Sequence, residues 1–129
     1  MNRGSRAADR PWLPVLAWAG VVLVASVIDP PGSGGGGTAG LLAFDKVFHA
    51  LGYATLAVLV ARAVRPRVLR SGLLVVTGVA LFGFGVEVVQ WPLPFRTFSL
   101  ADAAVNGLGA MVGVAVWAGY TWGQKRASR

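Results

Sequence analysis

Four long apolar stretches occupy most of the chain and constrain its fold more than any other feature. Each is close to the roughly 20 residues that a helix needs to cross the hydrocarbon core of a bilayer. With 55% hydrophobic and 13% charged residues and a mean hydropathy of +0.63, the 129-residue chain is more apolar than an ordinary soluble domain. We therefore predict an all-α integral membrane bundle of four transmembrane helices, namely Pro11–Ile28, Phe44–Ala63, Gly72–Gln90 and Leu100–Trp122.

The basic residues predict how these spans are oriented. Ten of the twelve lie before the first span, at the end of the second span or between it and the third, or after the fourth, whereas only Lys46 and Arg96 fall on the other side. By the positive-inside rule both termini are then cytoplasmic. The ten are Arg3, Arg6, Arg10, Arg62, Arg65, Arg67, Arg70, Lys125, Arg126 and Arg129. Because the net charge of +7 sits in these short connecting segments, it indicates topology and not nucleic-acid binding.

The predicted organisation follows from these spans. Residues 1–10 form a basic cytoplasmic N-terminus, 11–28 the first helix, 29–43 a glycine-rich outward loop, 44–122 a three-helix core and 123–129 a basic cytoplasmic tail. The run from Gly32 to Gly37 is typical of a flexible linker. A cleaved signal peptide is an alternative interpretation of the first span, because small residues surround Ala25. Cleavage would leave three spans in the same orientation.

Polar residues gather at the outward ends of the last three spans. In the second span Asp45, His49 and Tyr53 are spaced four apart, which places them on one helix face. The third span contributes a carboxylate and an amide in its last turn, and the fourth a carboxylate and an amide in its first turns. Because ionisable side chains are costly in lipid, we expect these groups to face one another in an outward-opening pocket. The candidate ligand-binding residues are Asp45, Lys46, His49, Tyr53, Glu87, Gln90, Arg96, Asp102 and Asn106.

Structural interpretations compete with a functional one for several of these residues. Asp45 lies in the first turn of its predicted helix, and Ser99 with Asp102 has the spacing of a capping box. Gly109 and Gly113 are predicted to serve helix packing. Glu87 is harder to explain structurally, because it lies far from a helix N-terminus and its charge needs a partner or a proton.

Three ordered motifs carry a resemblance to a known family. The patterns Asp45-Lys46-x-x-His49-x-x-x-Tyr53 and Glu87-x-x-Gln90, followed by a third that runs from Arg96 to Gly113, resemble the VanZ-like family in order and approximate spacing. The third pattern is Arg96-x-x-Ser99-x-x-Asp102-x-x-x-Asn106-x-x-Gly109-x-x-x-Gly113. The resemblance implies a bacterial cell-membrane protein, with a link to resistance against the glycopeptide teicoplanin as one expectation.

Several functions are compatible with such a pocket. The leading hypothesis is a membrane protein that binds or modulates a cell-envelope component, such as a peptidoglycan precursor, a lipid headgroup or a glycopeptide. The alternatives are an intramembrane hydrolase or transferase with His49 as general base, a small transporter, and a structural helix-bundle partner. The residue types also permit a metal held by His49 with Asp45, Glu87 and Asp102. We nevertheless expect no metal or other cofactor, because one histidine gives no recognisable ligand spacing and the chain has no cysteine. Self-association into a homo-oligomer stays open.

Overall fold

The described part of the chain is entirely helical, which confirms the predicted all-α class. The computed structural model describes residues 10–28, 38–94 and 100–129, with side chains described from residue 46 onward in the second segment. Four helices lie within these ranges. They are α1 (Leu13–Val27), α2 (Thr38–Val64), α3 (Leu69–Gln90) and α4 (Leu100–Ala127). Helices α2, α3 and α4 are long and apolar enough to cross a membrane, whereas α1, with 15 residues, is shorter.

Three helices extend beyond the predicted spans: α2 and α4 by the most, and α3 by its first turn, which begins at Leu69. Helix α2 begins at Thr38, six residues before Phe44, because the segment between the glycine run and Phe44 contains good helix formers such as leucine and alanine. Asp45 therefore lies well inside α2, and the prediction that it occupies the first turn is wrong. Helix α4 continues to Ala127, since nothing after Trp122 breaks the helix. The predicted linker Gly32–Gly37 lies outside the described residues.

Contacts between the helices define an up-and-down bundle. Lys46 of α2 pairs with Asp102 of α4, and further along the same helices Ala54 lies against Gly113. Residue numbers increase together along both helices, so α2 and α4 run parallel and form the most extensive helix pair of the bundle. Helix α3 runs antiparallel to both. The N-terminal halves of α2 and α4 and the C-terminal end of α3 consequently lie at the same end of the bundle.

The bundle has small residues inside and large apolar residues outside. Ala57, Ala61 and Ala110 are fully buried, whereas Leu69 and Phe48 expose 80% and 71% of their surface. A soluble domain would bury such large side chains, because their transfer from water is the main source of folding free energy. The observed arrangement is typical of membrane helices, which pack through small residues and present large ones to lipid. The apolar helices therefore indicate a membrane protein in contact with a bilayer.

Helix α1 is attached to the bundle by two hydrogen bonds. Trp18 Nε1 donates to the Gly52 carbonyl of α2 over 2.9 Å. Near the end of α1, Gln90 Nε2 of α3 donates to the Ser26 carbonyl over 2.7 Å. The second bond satisfies one of the carbonyls that the end of a helix leaves without an intrahelical partner. Both bonds fix α1 against α2 and α3 although its sequence carries no recognisable motif.

Candidate polar binding site

The polar residues form a column between α2, α3 and α4. It begins at the end of the bundle with Lys46 and Asp102, continues with His49 and Asn106, and ends at Tyr53. Lys46 and Tyr53 are seven positions apart, which corresponds to about 10 Å along the helix axis. The column is therefore roughly two helical turns deep.

An ion pair forms the outer layer of the column. Lys46 Nζ donates to Asp102 Oδ1, and the two side chains are 40% and 16% exposed. Asp102 lies in the first turn of α4, where the positive end of the helix dipole also favours a carboxylate. The pair joins the parallel helices α2 and α4 at the end of the bundle.

A histidine and an amide form the middle layer. His49 Nδ1 lies 3.0 Å from Asn106 Oδ1. Because an amide oxygen can only accept a hydrogen bond, this ring nitrogen is the donor. Asn106 is fully buried, whereas His49 is half-buried. The aromatic ring of Tyr53 stacks below that of His49, with 6.3 Å between the ring centroids. Spacing four apart on α2 produces this stack, as the sequence predicts for one helix face.

Two buried polar atoms at the inner end have no hydrogen-bond partner among the described residues. They are Tyr53 Oη and Asn106 Nδ2. Both residues surround Gly83 of α3: a Cβ at that position would lie 2.9 Å from Tyr53 Cε1 and 3.1 Å from Asn106 Nδ2. Glycine at position 83 therefore allows α3 to approach the tyrosine and the asparagine closely. Buried polar groups are almost always paired, so these two atoms require an explanation.

Glu87 is the acidic residue of the inner column. It is 2% exposed and lies one turn before the end of α3. Its carboxyl group is close enough to Tyr53 to interact with the phenol electrostatically. The position far from the start of α3 agrees with the expectation that the helix dipole does not stabilise this charge. Glu87 is not without an interaction partner.

The remaining predicted residues divide into those with packing contacts and those outside the described part. The buried amide of Gln90 is used in the bond to Ser26. A Cβ at Gly109 would overlap the Ala50 carbonyl oxygen, and Gly113 has the same relation to Ala54.

Some of the predicted site therefore has no described geometry. Arg96, Ser99 and the Asp45 side chain lie outside the described residues. Among the side chains that are described, no group of three histidine, cysteine or acidic residues could hold a metal ion. The predicted alternative of a metal held by His49, Asp45, Glu87 and Asp102 includes the side chain of Asp45, which lies outside the described residues.

Sequence reasoning missed the contribution of α1. Trp18 and Ser26 bond to α2 and α3, yet neither stands in a motif. The one signal was chemical: Trp18 lies in the middle of an apolar span, away from the interface where tryptophan is usual, and its N–H needs an acceptor there. The Ser26 carbonyl carries no side-chain signal at all.

Fold and composition together define an all-helical membrane protein with a buried polar column at one end. A scan against protein-family models, a search of curated proteins and a search of solved structures each give no match to this chain. The VanZ-like resemblance thus stays a prediction that depends on the motif residues alone.

Proposed function

We propose that the chain is a VanZ-like multi-pass protein of the bacterial cell membrane, with four spans and both termini in the cytoplasm, whose polar column binds a cell-envelope component. The positive-inside rule then directs the column to the outer face. A site there meets lipid headgroups, peptidoglycan precursors and glycopeptides. The loop with Arg96 would lie on the same side.

One observation carries the proposal: Tyr53 Oη and Asn106 Nδ2 are buried without a hydrogen-bond partner among the described residues. An unpaired buried polar group in a protein costs about 1–3 kcal/mol. A ligand that forms hydrogen bonds with both atoms removes this cost and therefore binds favourably. Both atoms can donate, which selects an acceptor oxygen of a phosphate, a carboxylate or an amide. Nearby Glu87 favours a ligand that also offers a donor.

Access to these atoms requires side chains above them to move. The half-exposed Lys46 is the member of the outer pair nearer to water, and its ammonium group is a first contact for an anionic group. Release of Asp102 from Lys46 then opens the way to His49 and Asn106. The ion pair accordingly serves as the entrance of the site in this proposal.

A purely structural role is the competing function, favoured by a specific observation. The contacts Lys46–Asp102, His49–Asn106 and Gln90–Ser26 all join one helix to another. Such bonds stabilise membrane bundles by about 0.6 kcal/mol each on average. On this hypothesis the column fixes helix positions and has no ligand.

The conservative substitution Tyr53→Phe separates the two functions. It removes only the hydroxyl group, which has no partner within the described residues, so the bundle loses no hydrogen bond. Tyr120→Phe is the matched control, because Tyr120 is exposed at the other end of the bundle. Binding of purified lipid-linked peptidoglycan precursor is measured in nanodiscs, and binding of labelled teicoplanin is measured on cells with equal membrane levels of each variant.

We expect Tyr53→Phe to weaken precursor binding about tenfold, whereas Tyr120→Phe leaves it unchanged. In cells, wild type and Tyr120→Phe should lower teicoplanin binding, and Tyr53→Phe should not. Unchanged binding together with a more heat-stable Tyr53→Phe protein would overturn the binding function in favour of the structural one. If Tyr53→Phe weakens precursor binding but leaves teicoplanin binding unchanged, only the proposed link to glycopeptides is refuted.

A further inference from the structure

An open groove lies at the end of the bundle opposite the polar column. It runs between the first half of α3 and the second half of α4 and has a volume of about 660 Å³. Roughly 27 Å of helix α2 separate Lys46 from Val64 at this end. The volume falls within the range of about 300–1,000 Å³ that is typical of small-molecule sites. None of the residues of the polar column contributes to it.

The floor of the groove is apolar. Leu73 and Val76 of α3 face Val114 and Trp117 of α4 across it. Leu73 is more than half exposed, so the surface is available to an occupant from the membrane. An apolar floor that opens along two membrane-spanning helices fits a hydrocarbon chain.

Three cations surround the end of the groove: Arg65, Arg67 and Lys125. Arg65 has a positive φ of 54°, a left-handed conformation that is uncommon for a residue other than glycine. Its N–H closes the end of α2 by donating to the Ala61 carbonyl over 2.7 Å. This turn, followed by Pro66, brings the segment with Arg65 and Arg67 to the groove. A left-handed arginine costs of order 1 kcal/mol, where glycine would cost nothing.

We propose that the groove binds an anionic phospholipid, with an acyl chain between α3 and α4 and the phosphate among the three cations. A soluble anion would leave the apolar floor uncovered, and a neutral lipid would not use the positive charge. Basic sites between transmembrane helices are known to bind anionic headgroups in this way. The site is separate from the polar column and does not depend on its function.

The chain offers a matched control for the charge. The triple variant Arg65→Gln, Arg67→Gln, Lys125→Gln removes the cations of the groove, whereas Arg62→Gln, Arg70→Gln, Arg129→Gln removes three exposed cations that do not line it. Both triple variants change the net charge by the same amount at the same end. A difference between them therefore reports on the groove and not on general attraction to an anionic surface.

Fluorescence quenching measures occupancy directly, because Trp117 and Trp122 line the groove. The full chain is placed in phosphatidylcholine nanodiscs that contain phosphatidylglycerol with brominated acyl chains, and quenching is compared with brominated phosphatidylcholine. We expect excess quenching by phosphatidylglycerol. It should disappear in Trp117→Phe/Trp122→Phe and persist in Trp12→Phe/Trp91→Phe, which alters tryptophans outside the groove.

The groove triple variant should need about tenfold more phosphatidylglycerol for half of the excess quenching, because each cation near an anionic surface strengthens binding about fivefold and the effects overlap. The control triple variant should match wild type. A second variant, Ala118→Phe, fills the groove with an aromatic ring and should lower the excess quenching by phosphatidylglycerol. Its control, Val116→Phe, lies on an exposed face outside the groove and should leave the excess quenching unchanged.

Three results would overturn the proposal. An equal loss of excess quenching in both triple variants would mean that phosphatidylglycerol is attracted to the basic surface in general. Equal quenching by the two brominated lipids would mean an unselective groove. Removal of the excess by soluble glycerol phosphate would mean a site for a free phosphate group and not for a lipid.

Discussion

The two ends of the bundle place charge in opposite ways. At the polar end Glu87 and Asn106 lie buried between helices, and Lys46 reaches inward to Asp102. At the basic end arginine and lysine project outward around an open apolar groove. The first end has few charges that are bonded within the protein, and the second has many charges at its surface.

Helix separation accounts for this difference. Near the polar end glycines let the backbones of α2 and α4 touch, so the polar side chains between them are covered. Toward the basic end α3 and α4 leave a groove that protein side chains do not fill. A bundle that is closed at one end and open at the other can offer two chemically different surfaces to the two leaflets of a membrane.

The largest expected effect concerns the contact that closes the polar end. In Gly113→Ala the new Cβ would overlap the Ala54 carbonyl oxygen, so α2 and α4 would have to separate. We expect a loss of about 3 kcal/mol in the free energy of unfolding. Reversible unfolding in bicelles measures it.

The matched control is Gly119→Ala on the same helix, where a Cβ would meet nothing within 4 Å. This change should stabilise α4 by up to about 1 kcal/mol, because alanine favours a helix over glycine. Equal effects of the two substitutions would show that the glycine contact does not close the bundle.

A smaller effect is expected from the middle layer of the column. Asn106→Ala removes the partner of His49 Nδ1 and leaves a space in a fully buried position. We expect a loss of about 1–2 kcal/mol in the free energy of unfolding. The control Thr55→Ala removes an exposed hydroxyl group that is bonded within its own helix, to the Leu51 carbonyl. A loss for Asn106→Ala no larger than that of Thr55→Ala would contradict an energetic role for the buried amide.

Much of this arrangement could be predicted from sequence, because membrane helices have clear signals. The apolar stretches predicted the all-helical class, and the spacing of His49 and Tyr53 predicted one shared face. The start of α2 could not be found in this way, because Thr38 follows a glycine run and no charge marks the helix start. The acceptors of the Trp18 and Gln90 hydrogen bonds were also beyond prediction, since a backbone carbonyl has no side-chain identity.

The groove shows a second limit of sequence reasoning. Arg65, Arg67 and Lys125 were explained by the positive-inside rule, which concerns only the side of the membrane. Their position around one groove depends on the left-handed turn at Arg65 and on where α4 ends. Neither follows from the number of charges.

The smallest effect distinguishes a surface ion pair from a buried one. We expect a coupling free energy of about 0.5–1 kcal/mol between Lys46→Met and Asp102→Asn in a double-mutant cycle, because Lys46 is 40% exposed. The coupling should fall at high salt, as exposed pairs are screened. As a control, Lys125→Met and Asp102→Asn lie at opposite ends and should couple by less than about 0.3 kcal/mol.

A coupling free energy below or above the expected range would change the comparison of the two ends of the bundle. No coupling would make Lys46 a solvated cation like those at the basic end, and it would remove the entrance that the proposed function assigns to the ion pair. A coupling above about 2 kcal/mol that resists salt would instead make the pair part of the buried column. A ligand would then have to break a strong contact to reach Tyr53, so binding would be slow as well as selective.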